Sequence, residues 1–202
     1  MSIVHTKLYE EPPLSCREIW RYSGTTQESP EQAELLGECL AAIKGRLSYR
    51  ACFAEYAVSV EGDAVELGPV RVRSASLARH LSGCRSALFL AATIGPELDR
   101  LVSRYSAVSP AKALMLDAIG TERVESLLDA VMGELSAEYG KKCLSLRRRF
   151  SPGYGDLPLS LQADIFALLD CPKHIGVSLG RGLLMSPMKS VTAIVGVAYE
   201  NH

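Results

Sequence analysis

Paired cysteines are missing from this sequence. The six that occur (Cys16, Cys39, Cys52, Cys84, Cys143, Cys171) stand singly, with no Cys-x-x-Cys among them. Zinc and iron–sulfur sites recruit ligands in closely spaced pairs, so neither is indicated, and free thiols acting as small buried hydrophobes are expected. An excess of one charge is missing too. With 22 basic and 23 acidic residues the formal net charge is −1, which lacks the Lys and Arg surplus that nucleic-acid binding or a polybasic membrane anchor needs. No run approaches the roughly 18–20 uninterrupted apolar residues of a membrane span. The segment from Met1 to Pro13 lacks the basic start and apolar stretch of a signal peptide, so the cytoplasm is the expected compartment.

Several catalytic signatures are absent as well. There is no Gly-x-x-x-x-Gly-Lys-Ser/Thr phosphate loop, no Gly-x-Gly-x-x-Gly dinucleotide fingerprint and no Gly-x-Ser-x-Gly elbow. The histidines (His5, His80, His174, His202) are too scattered to form a helical metal pair, and the Asp-x-His-x-x-Gly pattern that supplies a cobalt ligand does not occur.

What is present is an ordinary globular composition, 48% hydrophobic and 22% charged. Without repeats, low-complexity tracts or a long linker, residues 1–202 read as one domain. Ser29-Pro30 with Glu31 and Glu34 marks a helix start, and Leu35, Leu36, Leu40 and Ile43 carry it towards Leu47. Cys52 to Val60 alternates with period two, Glu61-Gly62-Asp63 turns, and Val65 and Leu67 resume the alternation, which is a hairpin. Val70 and Val72 extend the sheet. A short helix at Leu77–Leu81 stops at Gly83, and Ser86–Ile94 reads as a buried strand ended by Gly95-Pro96. Helices are expected over Pro96–Tyr105 and from a Ser109 cap to Tyr139, where Gly140 would end the second. That long helix carries an apolar stripe of Val124, Leu127, Leu128, Val131 and Leu135. A strand over Cys143–Phe150, a Pro/Gly loop over Ser151–Pro158, a helix over Leu159–Leu169 and strands near Ile175–Leu179 and Val191–Tyr199 complete the order. Mixed helices and strands with a hairpin favour an α+β fold, a twisted, largely antiparallel sheet flanked by helices.

The stretch Arg147-Arg148-Arg149-Phe150-Ser151-Pro152-Gly153-Tyr154-Gly155-Asp156-Leu157-Pro158 concentrates the chemistry. Simple alternation puts Leu144, Leu146 and Phe150 on one face of a strand and Arg147 and Arg149 on the other. The prolines stiffen the loop, the glycines allow close backbone approach, and Tyr154 offers an aromatic face. An arginine beside a tyrosine suits a small molecule that carries a carboxylate and a planar or cationic group. A rigid turn with a solvated arginine cluster is the plainer alternative.

Arg149 to Tyr154 resembles the arginine-x-x-proline-glycine-tyrosine motif of the activation (reactivation) domain of cobalamin-dependent methionine synthase. Lys173-His174-x-Gly176-x-x-Leu179 and Met185-x-Pro187-x-x-Ser190-Val191 follow in that family's order. The likeness is strongest over residues 111–196. It implies an S-adenosylmethionine site built from Arg149, Ser151, Pro152, Gly153 and Tyr154, with Glu125 on the long helix as its acidic member and Glu122 as the alternative one turn away. It also implies a component of methionine synthase, and so of methionine biosynthesis, rather than a complete methyltransferase. Such a chain would help to restore Co(II) cobalamin carried by separate corrinoid modules, with a flavodoxin-type protein giving the electron. Reactivation of another corrinoid methyltransferase, or a non-catalytic sensor or assembly role, stays open. The sequence departs from the family in three places. Only Glu18 offers a carboxylate within Cys16–Tyr22, where the family has an aspartate. Gly180-Arg181-Gly182 stands for a more acidic segment, and the family's aromatic pair would begin about where His202 lies. His174, beside a helix end, reads as a structural histidine.

Overall fold

The computed structural model describes residues 2–25 and 29–200, so His202 lies outside the described residues. In chain order the elements are β1 (His5–Leu8), α1 (Cys16–Ser23), α2 (Pro30–Ile43), β2 (Arg50–Glu61), β3 (Ala64–Leu67), β4 (Val70–Arg73), α3 (Ala75–His80), β5 (Cys84–Thr93), α4 (Glu97–Ser106), α5 (Pro110–Gly140), β6 (Leu144–Phe150), α6 (Leu161–Leu169), α7 (Cys171–Ile175), β7 (Ser178–Leu179), β8 (Met185–Ser186) and β9 (Ser190–Tyr199). Seven strands form one sheet in the order β4-β3-β2-β5-β9-β6, with β1 joined to β2, and all its pairings are antiparallel. The α+β class with an antiparallel sheet is therefore what the chain adopts.

The sheet is covered on both faces. Leu88, Leu90, Ala92, Val195 and Val197 point into a core closed by α1, α2, α4 and α5. Their neighbours Ala87, Phe89, Ala91 and Ile194 point into a second core closed by α3, α6 and α7. Burial on both sides explains why β5 and β9 read as unbroken apolar runs rather than as alternation. The long helix α5 lies across the first face. Its expected stripe of Val124, Leu127, Leu128, Val131 and Leu135 is buried at 5% exposure or less.

Ser29 closes a reciprocal capping box with Gln32 at the start of α2. Other expectations are corrected. Helix α2 stops at Ile43 rather than near Leu47, and α6 starts at Leu161 rather than Leu159. Ser109 is the cap residue of α5, but its side chain makes no capping bond. Gly140 stays helical, and the chain leaves α5 through Cys143, whose φ is 56°. Of the strand expected near Ile175–Leu179, only Ser178–Leu179 is extended; Ile175 is the last residue of helix α7, which Gly176 ends at φ 73°. Three of the cysteines (Cys39, Cys52, Cys171) are buried, whereas Cys16 and Cys143 are exposed. The strand β1 and the helix α1 add to the expected order; for α1 the start signal is Ser15 at the N-cap with Glu18 three residues on.

Candidate functional site: a cleft along the edge strand

Strand β6 is an edge of the sheet; among the described residues its pairing partner is β9. Leu146 lies opposite Val197 and Arg149 opposite Val195, so three steps on β6 match two on β9. This is a β-bulge, and the extra residue inverts the side-chain alternation beyond it. Arg149 therefore shares a face with Leu144 and Leu146, the face covered by α5, while Phe150 turns into the opposite core. The assignment from simple alternation is overturned for both residues. Gly196 accommodates the irregularity, since a Cβ there would come within 3.1 Å of Arg147 Cγ and 2.7 Å of Cys84 Sγ. His80 secures it from the other side, its Nε2 lying 2.8 Å from the Arg148 carbonyl oxygen.

Turned towards α5, the Arg149 guanidinium donates from Nη2 to Glu125 Oε2 at 2.9 Å and to Asp129 Oδ1 at 3.4 Å. The two acceptors are four residues apart on one helix face, so one arginine reaches both. Arg149 is 24% exposed, Glu125 40% and Asp129 78%. Ion pairs so open to water contribute about 1 kcal/mol or less to stability. They are easily exchanged for another partner.

The loop after β6 is rigid by its own bonds. Gly153 N donates to Leu157 O (2.9 Å), Leu157 N to Tyr154 O (3.0 Å) and Tyr154 N to Ser151 O (3.2 Å), while Pro152 and Leu157 are buried. Gly153 has φ +86° and Gly155 φ +59°, a region side chains rarely adopt. The close approaches these glycines permit are to the protein itself, Gly153 to Leu159 and Gly155 to Ser76. Asp156 then ties the loop to the start of α3. It accepts from Ser74 Oγ (2.6 Å), Ala75 N (2.7 Å) and Ser76 N (3.1 Å). The Ser74 hydroxyl first, then these amides, hold the Asp156 carboxyl well below its ordinary range. Tyr154 projects above the anchored loop, 72% exposed, with its ring edge-on to Phe150 at 6.1 Å.

These groups surround an open cleft of about 1280 Å³. Glu125, Asp129 and Met132 of α5 line one side, Arg79 and His80 of α3 the other, and Arg147 to Ser151 run between them with Tyr154 at the end. Of the residues expected to form a site, Glu125, Arg149, Ser151 and Tyr154 line the cleft. Pro152 supports the loop from beneath and Gly153 sets its turn, and neither is a lining residue. Asp129, His80 and Asp156 were not anticipated; for Asp129 the signal was present, one turn after Glu125 on the same helix.

Glu122 is excluded from the cleft. It is 1% exposed and bonded to Arg123 (2.5 and 2.7 Å), to Ser126 Oγ (2.8 Å) and to Ser15 N (2.9 Å). Glu18 pairs with Arg21 on α1 and does not line the cleft. His174 ends α7 with Nδ1 2.6 Å from Thr6 Oγ1, a contact between elements. Among the described residues no three His, Cys, Asp or Glu side chains are grouped to hold a metal ion, and no helix is long and apolar enough to cross a membrane.

This α+β fold, an antiparallel sheet flanked by helices, matches that of a methionine synthase (MetH) reactivation domain. One solved structure with this fold is that of the MetH reactivation domain bound to AdoHcy. The two superpose with a TM-score of 0.71 over 98% of this chain and 79% of that one, at 17% sequence identity. No family model matches the sequence, and no curated protein matches it either. The likeness is therefore one of fold, carried by structure rather than by residue identity.

Proposed function

We propose that this chain binds S-adenosylmethionine in the cleft along β6 and, as a separate subunit, supports the reductive methylation of Co(II) cobalamin held by methionine synthase modules. The observation that carries the reading is the open Arg149–Glu125 pair beside Tyr154. It presents an exchangeable cation, an exchangeable carboxylate and an aromatic face in one place, at the edge of a fold of which one solved example is described as bound to AdoHcy.

The residues fit such a ligand. Arg149 takes the ligand carboxylate, to which a guanidinium can fork. Glu125, released by that exchange, takes the ammonium or the ribose hydroxyls. Ser151 and Tyr154 border the remaining surface, and the Tyr154 ring attracts a cationic group or stacks on a planar one. Pro152, Gly153 and Asp156 hold the loop, so that little ordering is left to the moment of binding. The corrinoid, on its own protein, supplies the cobalt that accepts the methyl group once a flavodoxin-type donor has delivered one electron. This chain's part is positional: it presents the methyl–sulfonium group at an open cleft mouth where another protein can reach it.

The test adds the chain to methionine synthase modules deprived of their own reactivation domain, with Co(II) cobalamin, an electron donor and S-adenosylmethionine, and follows the Co(II) absorbance. Loss of the Co(II) signal that requires the chain, and that Arg149→Ala abolishes, supports the reading. Binding of S-adenosylmethionine without any methylation would make the chain a sensor instead.

A further inference from the structure

Asp129 has no place in that reading, yet it shares Arg149 with Glu125. Resting on the proposed ligand, we infer that Asp129 and Glu125 form a two-carboxylate charge filter that selects the methylated sulfonium ligand over its demethylated thioether.

The count of charges carries the inference. On the α5 side of the cleft stand one guanidinium and two carboxylates, a balance of −1. S-Adenosylmethionine carries a carboxylate, an ammonium and a sulfonium, a balance of +1. Its carboxylate occupies Arg149, and the two carboxylates so released meet two cationic groups. S-Adenosylhomocysteine has lost the sulfonium charge. It offers one cation to two carboxylates, so one of them is left to compete with the ligand for Arg149. The cleft holds further basic residues: Arg79 and His80 belong to α3, across β6, the Arg147 stem runs over Gly196 on that same side, and Arg148 follows it on the bulged strand. Among the described residues it is Arg149 that is bonded to the two carboxylates. Asp129 is 78% exposed and bears on Arg149 only at 3.4 Å, so it is free to follow whichever cation is offered. The same filter favours release of the neutral product once the methyl group has left.

Calorimetric titrations of the full chain decide it, with S-adenosylmethionine, S-adenosylhomocysteine and the analogue sinefungin, in which a protonated amine replaces the methylsulfonium. One exposed charge contact of about 4 Å is worth about fivefold in affinity. The wild type is expected to bind both cationic ligands about fivefold more tightly than S-adenosylhomocysteine at low salt. The preference should shrink in concentrated salt, where the screening length falls to about 3 Å. Asp129→Asn should bring the three affinities within about twofold by weakening the cationic ligands alone, and Asp129→Glu should keep the preference. A preference that survives Asp129→Asn overturns the filter, as does equal weakening of all three ligands, which would make Asp129 a support for Arg149 only. No binding of any ligand to the wild type removes the proposed function itself, and the filter with it.

Discussion

Two glutamates three residues apart on α5 meet arginines in opposite ways. Glu122 is sealed against Arg123, whose guanidinium is fully buried and also donates to the carbonyls of Pro12 and Pro13 at 2.7 Å. Nearly every donor and acceptor of that pair is taken, and the pair fastens the segment before α1 to the long helix. Glu125 meets Arg149 in the open, with lone pairs and donors to spare. The residue types are the same and the helix is the same, but burial separates their roles. A sealed pair holds structure because breaking it strands a charge in a poor solvent. An exposed pair costs little to break, and that makes it suitable for trading partners with a ligand.

The largest expected effect falls on the sealed pair. Arg123→Met should cost about 3–5 kcal/mol of stability, because Glu122 keeps its burial and loses its counter-charge. A urea unfolding curve checks this, and a loss under about 1 kcal/mol would erase the distinction drawn here. The open pair should behave in reverse. Arg149→Ala should change stability by less than about 1 kcal/mol, while removing a charged hydrogen bond to the ligand carboxylate of about 1.5–3 kcal/mol, or tenfold or more in affinity. Tyr154→Leu should act in the same direction and more weakly, by about 0.5–1 kcal/mol, as for an exposed cation–π contact. Isothermal titration beside the wild type separates the two.

The smallest effect is confined to acid. Asp156 has its carboxyl lowered from 3.8 by the Ser74 hydroxyl and the amides of α3. A lowered folded-state value means that its contribution is complete above pH 3.8 and disappears as the pH falls through the lower value. The ring signals of Tyr154 in an NMR pH series should therefore stay sharp to well below pH 3.8 and then broaden as the loop leaves α3. In Asp156→Asn that acid transition should be missing.

The sequence contained most of this arrangement and misplaced its central residue. The apolar stripe of α5, the Ser29 cap, the Gly62 hairpin and the two unbroken runs of β5 and β9 are local patterns, and they were legible because each encodes its own burial. The face on which Arg149 stands is not local. It depends on the register between β6 and β9, where one extra residue turns the side chain through to α5. The available hint was Gly196 in the middle of an otherwise apolar strand, since a glycine there marks a bulge or a close approach. Asp156 was hidden for a related reason: its partners Ser74, Ala75 and Ser76 lie some eighty residues away. The short helix α7 was masked by Pro172 and Gly176, which read as loop signals but sit at its first turn and its C-cap.

The most direct test is calorimetric titration of the purified chain with S-adenosylmethionine, with Arg149→Ala and Arg123→Met beside it. Saturable binding that Arg149→Ala loses while keeping its unfolding midpoint, and that Arg123→Met retains wherever it stays folded, is the predicted result. Binding unchanged in Arg149→Ala would contradict the central claim that the open pair on β6 and α5 is where the ligand is held.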